Sequence, residues 1–229
     1  MQPVFLKNFK TALDRAEVLR MAGYPRGSRV PASIERLLDQ TLGEAVSLAV
    51  PAAVYRLFNP SVSNEGVSLP DGPQFRSKGL ASLLGGAELA CLFVVTVGPA
   101  IGATARVAMG EGKFTRSVLL DAAGSACVEA AADEVQESVS RNLGGRSVTR
   151  RYSPGYCDWA LAEQVKIFDS IPAGEIGVTL DSSLFMEPEK SVSAVFGIGR
   201  SGDELFGRGH RPPCRTCTLK TCKHRVEDK

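Results

Sequence analysis

Residues 150–168 read Arg-Arg-Tyr-Ser-Pro-Gly-Tyr-Cys-Asp-Trp-Ala-Leu-Ala-Glu-Gln-Val-Lys-Ile-Phe, and the rest of the chain is organised around them. Pro154 fixes its own φ and Gly155 permits an unusual one, so the pair predicts a tight turn. The turn is crowded with Arg150, Arg151, Tyr152, Tyr156, Cys157, Asp158 and the only tryptophan, Trp159. Loops carry such residues mostly where a rigid scaffold uses them to hold something. The plainer alternative is a turn whose aromatic rings pin it to the core.

On either side of this turn the pattern alternates between helix and strand. Ser147–Tyr152 is expected to enter as a strand and 160–171 to leave as a helix. Before it, 115–142 has the longest helical periodicity, with Leu119, Leu120, Ala123, Cys127, Ala130, Ala131 and Val135 along one side. The middle of that helix is built of Ala, Gly and Ser, which allows close approach by another element. Ala90-Cys-Leu-Phe-Val-Val-Thr-Val97 is continuously apolar and β-branched, as expected of a strand buried on both faces. Helices are predicted at 11–22, 32–48, 78–86 and 99–109, and strands at 53–58, 178–180 and 193–198. Segment 59–77, rich in Pro, Gly, Ser and Asn, reads as a loop with a short edge strand at Val67-Ser-Leu69. The order is not a regular βα alternation, and no glycine-rich phosphate loop follows a strand. The expected class is therefore α+β, not a doubly wound sheet.

Composition narrows the function. The 27 Lys and Arg against 25 Asp and Glu leave a net charge of +2, too balanced to argue for nucleic acid or an acidic membrane surface. With 44% apolar residues in 229, a folded domain with a substantial core is expected. No apolar run reaches the roughly 18 residues that span a bilayer. The start, Met1-Gln-Pro-Val-Phe-Leu-Lys7, lacks an apolar h-region, so a cytoplasmic protein is expected. No Gly-x-Ser-x-Gly elbow or His-Glu-x-x-His motif occurs, and the two histidines sit near the C-terminus, which disfavours a hydrolase.

Arg151-x-x-x-Gly155-Tyr156, with Ser-Pro between, resembles the S-adenosylmethionine-binding signature of the activation domain of cobalamin-dependent methionine synthase. The elements Glu163–Phe168, Ile176–Ser183, Met186-x-Pro188 and Lys190–Ser193 follow in that family's order. The resemblance runs over roughly residues 75–200 and implies a twisted antiparallel sheet flanked by helices. It implies a domain over 1–207, with 1–50 as a helical N-terminal part and 208–229 as a cysteine-rich tail. By position in the motif, Arg151 matches the residue that takes the ligand's carboxylate. Ser153, Gly155 and Tyr156 match the backbone contacts, and Glu129 on the long helix matches a partner for the ligand's amino group. The family often continues Gly-Tyr-Pro-Ala-Cys-Pro-x-His, whereas here Cys157-Asp158-Trp159 follows, and Asp158 offers a further negative charge close by. The implied function is assistance in reductive reactivation of a corrinoid methionine synthase. An electron and a methyl group from S-adenosylmethionine restore methylcobalamin from cob(II)alamin. The chain shows no cobalamin-binding module, so the implied partners are a separate cobalamin-binding module of methionine synthase and a reduced flavodoxin or ferredoxin-type donor. No nucleic acid and no membrane partner is expected. Whether the chain is itself an enzyme is left open; it would be a component of a methyltransferase's reactivation.

The C-terminal stretch carries a second signal. Cys214-Arg-Thr-Cys217-Thr-Leu-Lys-Thr-Cys222 places three cysteines among basic residues, which favour the thiolate, the ligand form. With His210 or His224 as a fourth ligand the set suits zinc. With Cys157 or an open position it suits a [4Fe–4S] cluster, and an electron-transfer role tips the reading towards iron–sulfur. A second class of function follows from these cysteines: a non-catalytic metal- or iron–sulfur-binding interaction module of the same fold. Cys91, in the apolar strand, and Cys127, on the small-residue helix, read as inert core residues.

Overall fold

The structure, a computed structural model, describes residues 1–25 and 27–199. The tail cysteines Cys214, Cys217 and Cys222, both histidines, and the expected boundary at 207 lie outside the described residues. The chain opens with strand β1 (Val4–Lys7), then helices α1 (Arg15–Met21) and α2 (Ala32–Leu48). Next come β2 (Ala52–Phe58), β3 (Ser61–Ser63), β4 (Gly66–Ser68), β5 (Gln74–Phe75) and α3 (Lys78–Leu84). Strand β6 (Leu89–Thr96) leads into α4 (Ala100–Gly110) and the long α5 (Phe114–Asn142). The last part holds α6 (Gln164–Ser170), β7 (Thr179–Leu180), β8 (Met186–Glu187) and β9 (Ser191–Ile198).

The main sheet has the order β1-β2-β6-β9, and every pair in it is antiparallel. This is the expected α+β class. Strand β6 is apolar throughout because both of its faces are covered. Cys91, Phe93 and Val95 enter one core with Val18, Leu38 and the apolar side of α5. Ala90, Leu92 and Val94 enter a second core with Phe75, Leu80, Leu84, Tyr152 and Trp159. Each large apolar side chain so buried is worth about 1.5–3 kcal/mol in transfer free energy. The small residues of α5 let α4 and the approach to β9 pack close. A Cβ at Gly124 would stand 2.9 Å from Ile101 Cγ2 and 3.1 Å from Lys190 Cε.

Local chemistry sets the element ends. The Asp14 side chain accepts from the Ala16 N–H, so α1 starts after it and not at 11. Ser77 caps α3 by accepting from the Leu80 N–H at 2.9 Å, and Gly86, at φ 82°, turns the chain beyond it. Two expectations are corrected. Residues 147–152 do not form a regular strand; they touch β9 at two isolated bridges. The helix expected at 160–171 begins as a 3-10 turn, Leu161–Glu163, before α6. The strand expected at 178–180 forms at Thr179–Leu180 and pairs with β8 in a small hairpin outside the main sheet. Strand β1, not foreseen from the sequence, pairs with β2 from Val4↔Tyr55 to Lys7↔Ala52. Among the described residues no helix is long and apolar enough to cross a membrane.

Candidate functional site

The Arg151 turn runs along the outer edge of β9. Thr149 N–H donates to Gly197 O at 2.9 Å, and Tyr152 N–H to Val195 O at 2.8 Å. The bridges pair Val148 with Ile198 and Tyr152 with Val195, so four residues advance on one side against three on the other. The extra residue is a bulge, which re-aims side chains at a sheet edge. The strand-like alternation still sends neighbouring side chains to opposite faces. Tyr152 enters the core beneath α3 and Arg151 reaches α5.

On α5, Glu129, Asp133 and Gln136 follow at i, i+4 and i+7, which places them on one face. Arg151 Nη1 donates to Asp133 Oδ1 at 2.5 Å and to Gln136 Oε1 at 2.9 Å. Its Nη2 pairs with the Glu129 carboxylate. Gln136 Nε2 donates in turn to Thr149 O at 2.9 Å, which ties the cluster back to the turn's own backbone. The Arg151 side chain is 19% exposed, against 47% for Glu129 and 65% for Asp133. Burial disfavours the guanidinium charge, but Glu129 and Asp133 outweigh it and raise its pKa above the ordinary arginine value.

The opposite face of the turn is structural. Asp158 accepts from Lys78 N–H at 2.6 Å, Gly79 N–H at 3.1 Å, Ser77 Oγ at 2.9 Å and Tyr152 OH at 3.1 Å. Asp158 therefore caps the start of α3 across the fold, on the side away from Arg151, and is not a charge aimed at a ligand beside Arg151. Burial works against its ionisation, and the donors from Gly79, Ser77, Lys78 and Tyr152 overcome it, so its carboxyl lies below the usual range. Burial, and then the neighbouring Cys157 and Asp158, push the Tyr152 phenol well up. Trp159 is buried, stacked on Tyr152 with centroids 5.7 Å apart, and edge-on to Phe75 at 5.0 Å. The reading in which aromatics pin the turn to the core thus holds for Tyr152 and Trp159.

Between these anchors Pro154 is buried and residues 155–158 are exposed. Gly155 takes φ 89° and donates to Trp159 O at 2.7 Å, and Tyr156 N–H contacts Ser153 O at 3.4 Å. The Tyr156 ring is 58% exposed, and Cys157 is exposed with φ 51°. Of the residues singled out from the sequence, Arg151 and Glu129 are in contact, and Ser153, Gly155 and Tyr156 form the adjoining turn. Asp133 and Gln136 were missed, although their spacing from Glu129 was the available signal. A separate cleft of about 470 Å³ opens elsewhere, between Gly98–Gly102, Arg106 and the Glu187–Lys190 segment. Among the described residues no group of three or more His, Cys, Asp or Glu stands close enough to hold a metal ion.

Physically, a partly buried guanidinium flanked by two carboxylates suits a zwitterionic ligand, and the exposed Tyr156 of the adjoining turn is a separate aromatic surface. The cation takes a carboxylate, and a flanking acid takes an ammonium. No family model matches the chain, and no curated protein matches it. Among solved structures, a crystal structure described as the MetH reactivation domain bound to AdoHcy is similar, with a TM-score of 0.63 and 17% identity. The match covers 86% of this chain and 78% of that one. The likeness is one of fold, and it is the fold that the sequence resemblance implied.

Proposed function

We propose that this chain binds S-adenosylmethionine and assists reductive remethylation of cob(II)alamin carried by a separate corrinoid methionine synthase. One observation carries the reading: Arg151, at the motif position for the ligand's carboxylate, lies against Glu129, at the position for its amino group. That pair sits in a fold similar to that of a reactivation domain solved with AdoHcy bound. Arg151 holds the carboxylate through its planar fork, and Glu129 turns from Arg151 to the ammonium. The backbone of Ser153, Gly155 and Tyr156 lines the nucleoside, and the Tyr156 ring covers one of its faces. The ligand supplies the methyl group, and a reduced flavodoxin or ferredoxin-type protein supplies the electron. The chain's own task is to position the sulfonium towards the cobalamin-binding module of the partner and exclude water there. Cys214, Cys217 and Cys222 belong to this reading as ligands of an iron–sulfur cluster or zinc. Metal analysis of their serine variants tests that part.

Anaerobic calorimetry on the wild type and Arg151→Ala tests the core of the proposal. Binding of S-adenosylmethionine that the substitution removes supports it. A folded wild type that binds neither S-adenosylmethionine nor any cobalamin-loaded protein overturns it.

A further inference from the structure

Arg151 carries one positive charge, while Glu129 and Asp133 on it carry two negative ones, so the cluster holds one negative charge in excess. The buried cation Lys190, which precedes β9 and reaches α5 from outside the helix, is already bound to Asp121 at 2.6 Å and Ser125 at 3.0 Å, and does not cancel it. An amino acid entering between Arg151 and Glu129 adds a carboxylate and an ammonium, which sum to zero. The excess charge therefore persists, on Asp133. Gln136 keeps it in place: the same Arg151 nitrogen that holds Asp133 is held by Gln136, which is nine-tenths buried and anchored to Thr149 O.

We propose that Asp133 is a specificity-determining residue that makes the site prefer the sulfonium ligand over its thioether product. This rests on the reading that the site holds S-adenosylmethionine. When the methyl group leaves, the electron pair of its bond to sulfur stays on sulfur, and the ligand's net charge falls from +1 to 0. The ligand then no longer offsets Asp133, and the product is held less tightly. Asp133 is 65% exposed, so the relevant dielectric is close to that of water. A unit charge about 8 Å away then changes the affinity ratio about twofold.

The test is calorimetry with S-adenosylmethionine and S-adenosylhomocysteine on the wild type and Asp133→Asn, read as the ratio of the two dissociation constants. Both ligands share the amino acid and the nucleoside, so any loosening of Arg151 cancels in the ratio. The expected result is a ratio about twofold smaller in Asp133→Asn. In the wild type the preference should also shrink as ionic strength rises, a readout that does not need the variant to fold. An unchanged ratio in the variant, or a wild-type ratio indifferent to salt, overturns the inference while leaving the site reading intact. If the folded wild type binds neither ligand, the site reading falls and takes the inference with it.

Discussion

Replacing Gly79 by alanine probes the tie between α3 and the Arg151 turn. Gly79 is the second residue of α3, and nothing in its backbone geometry demands glycine. On helix propensity alone the substitution should stabilise by up to ~1 kcal/mol. The added Cβ, however, would stand 2.7 Å from Asp158 Oδ1 and 2.9 Å from Tyr152 OH. Tyr152 is 5% exposed and stacked on Trp159, so its ring has no room to retreat. Asp158 must then move, and it gives up some of its bonds to Ser77, Lys78, Gly79 and Tyr152. Each is worth about 0.5–1.5 kcal/mol net, and the exposure of Asp158 favours the lower half of that range. Losing two or three outweighs the propensity gain, so a net destabilisation of about 1–2 kcal/mol is expected. Urea denaturation should show a lower midpoint with an unchanged slope. In an Asp158→Ala background the same change should cost less, because one of the two obstructing oxygens is gone. A Gly79→Ala protein as stable as the wild type, or more so, would refute the close approach of α3 to the turn.

Three further outcomes are expected. Trp159→Ala should destabilise by about 3–5 kcal/mol, since it empties the space between Tyr152 and Phe75; circular dichroism against urea checks this. Because the folded Asp158 carboxyl titrates below its unfolded value, its contribution is present above about pH 4 and fades as pH falls through the folded pKa. The stability gap between wild type and Asp158→Asn should therefore narrow in acid, and a gap constant with pH would exclude an ionised Asp158 as the cap. Burial pushes up the Cys91 thiol and, offset in part by Thr11, that of Cys127. In a variant with the tail cysteines changed to serine, a thiol reagent should modify Cys157 in the folded protein and reach the other two only on unfolding.

Repetition along the chain was legible. The helical period at 115–142 corresponds to α5 at Phe114–Asn142, and the apolar run at 90–97 to β6 at Leu89–Thr96. Both patterns reflect one environment repeated along one element. The turn at Pro154-Gly155 was legible for a similar reason: the allowed φ of these residues is a property of the residues themselves. Pairings between distant segments were not. Strand β1 is four residues long and largely exposed, so it has no burial pattern to read, and its existence depends on β2 nearly fifty residues later. Asp158 is attractive as a ligand charge from its neighbours in sequence, but its partners are Ser77, Lys78 and Gly79, some eighty residues earlier. Likewise, Arg151 could be named from a motif and Glu129 from the family resemblance along the long helix. That Asp133 and Gln136 share the same guanidinium follows from the bulge at the edge of β9, which aims Arg151 at that face of α5. Local spacing encodes what each segment becomes. Which charges meet is set by how the segments pack, because the contacts that hold them form only in the assembled fold.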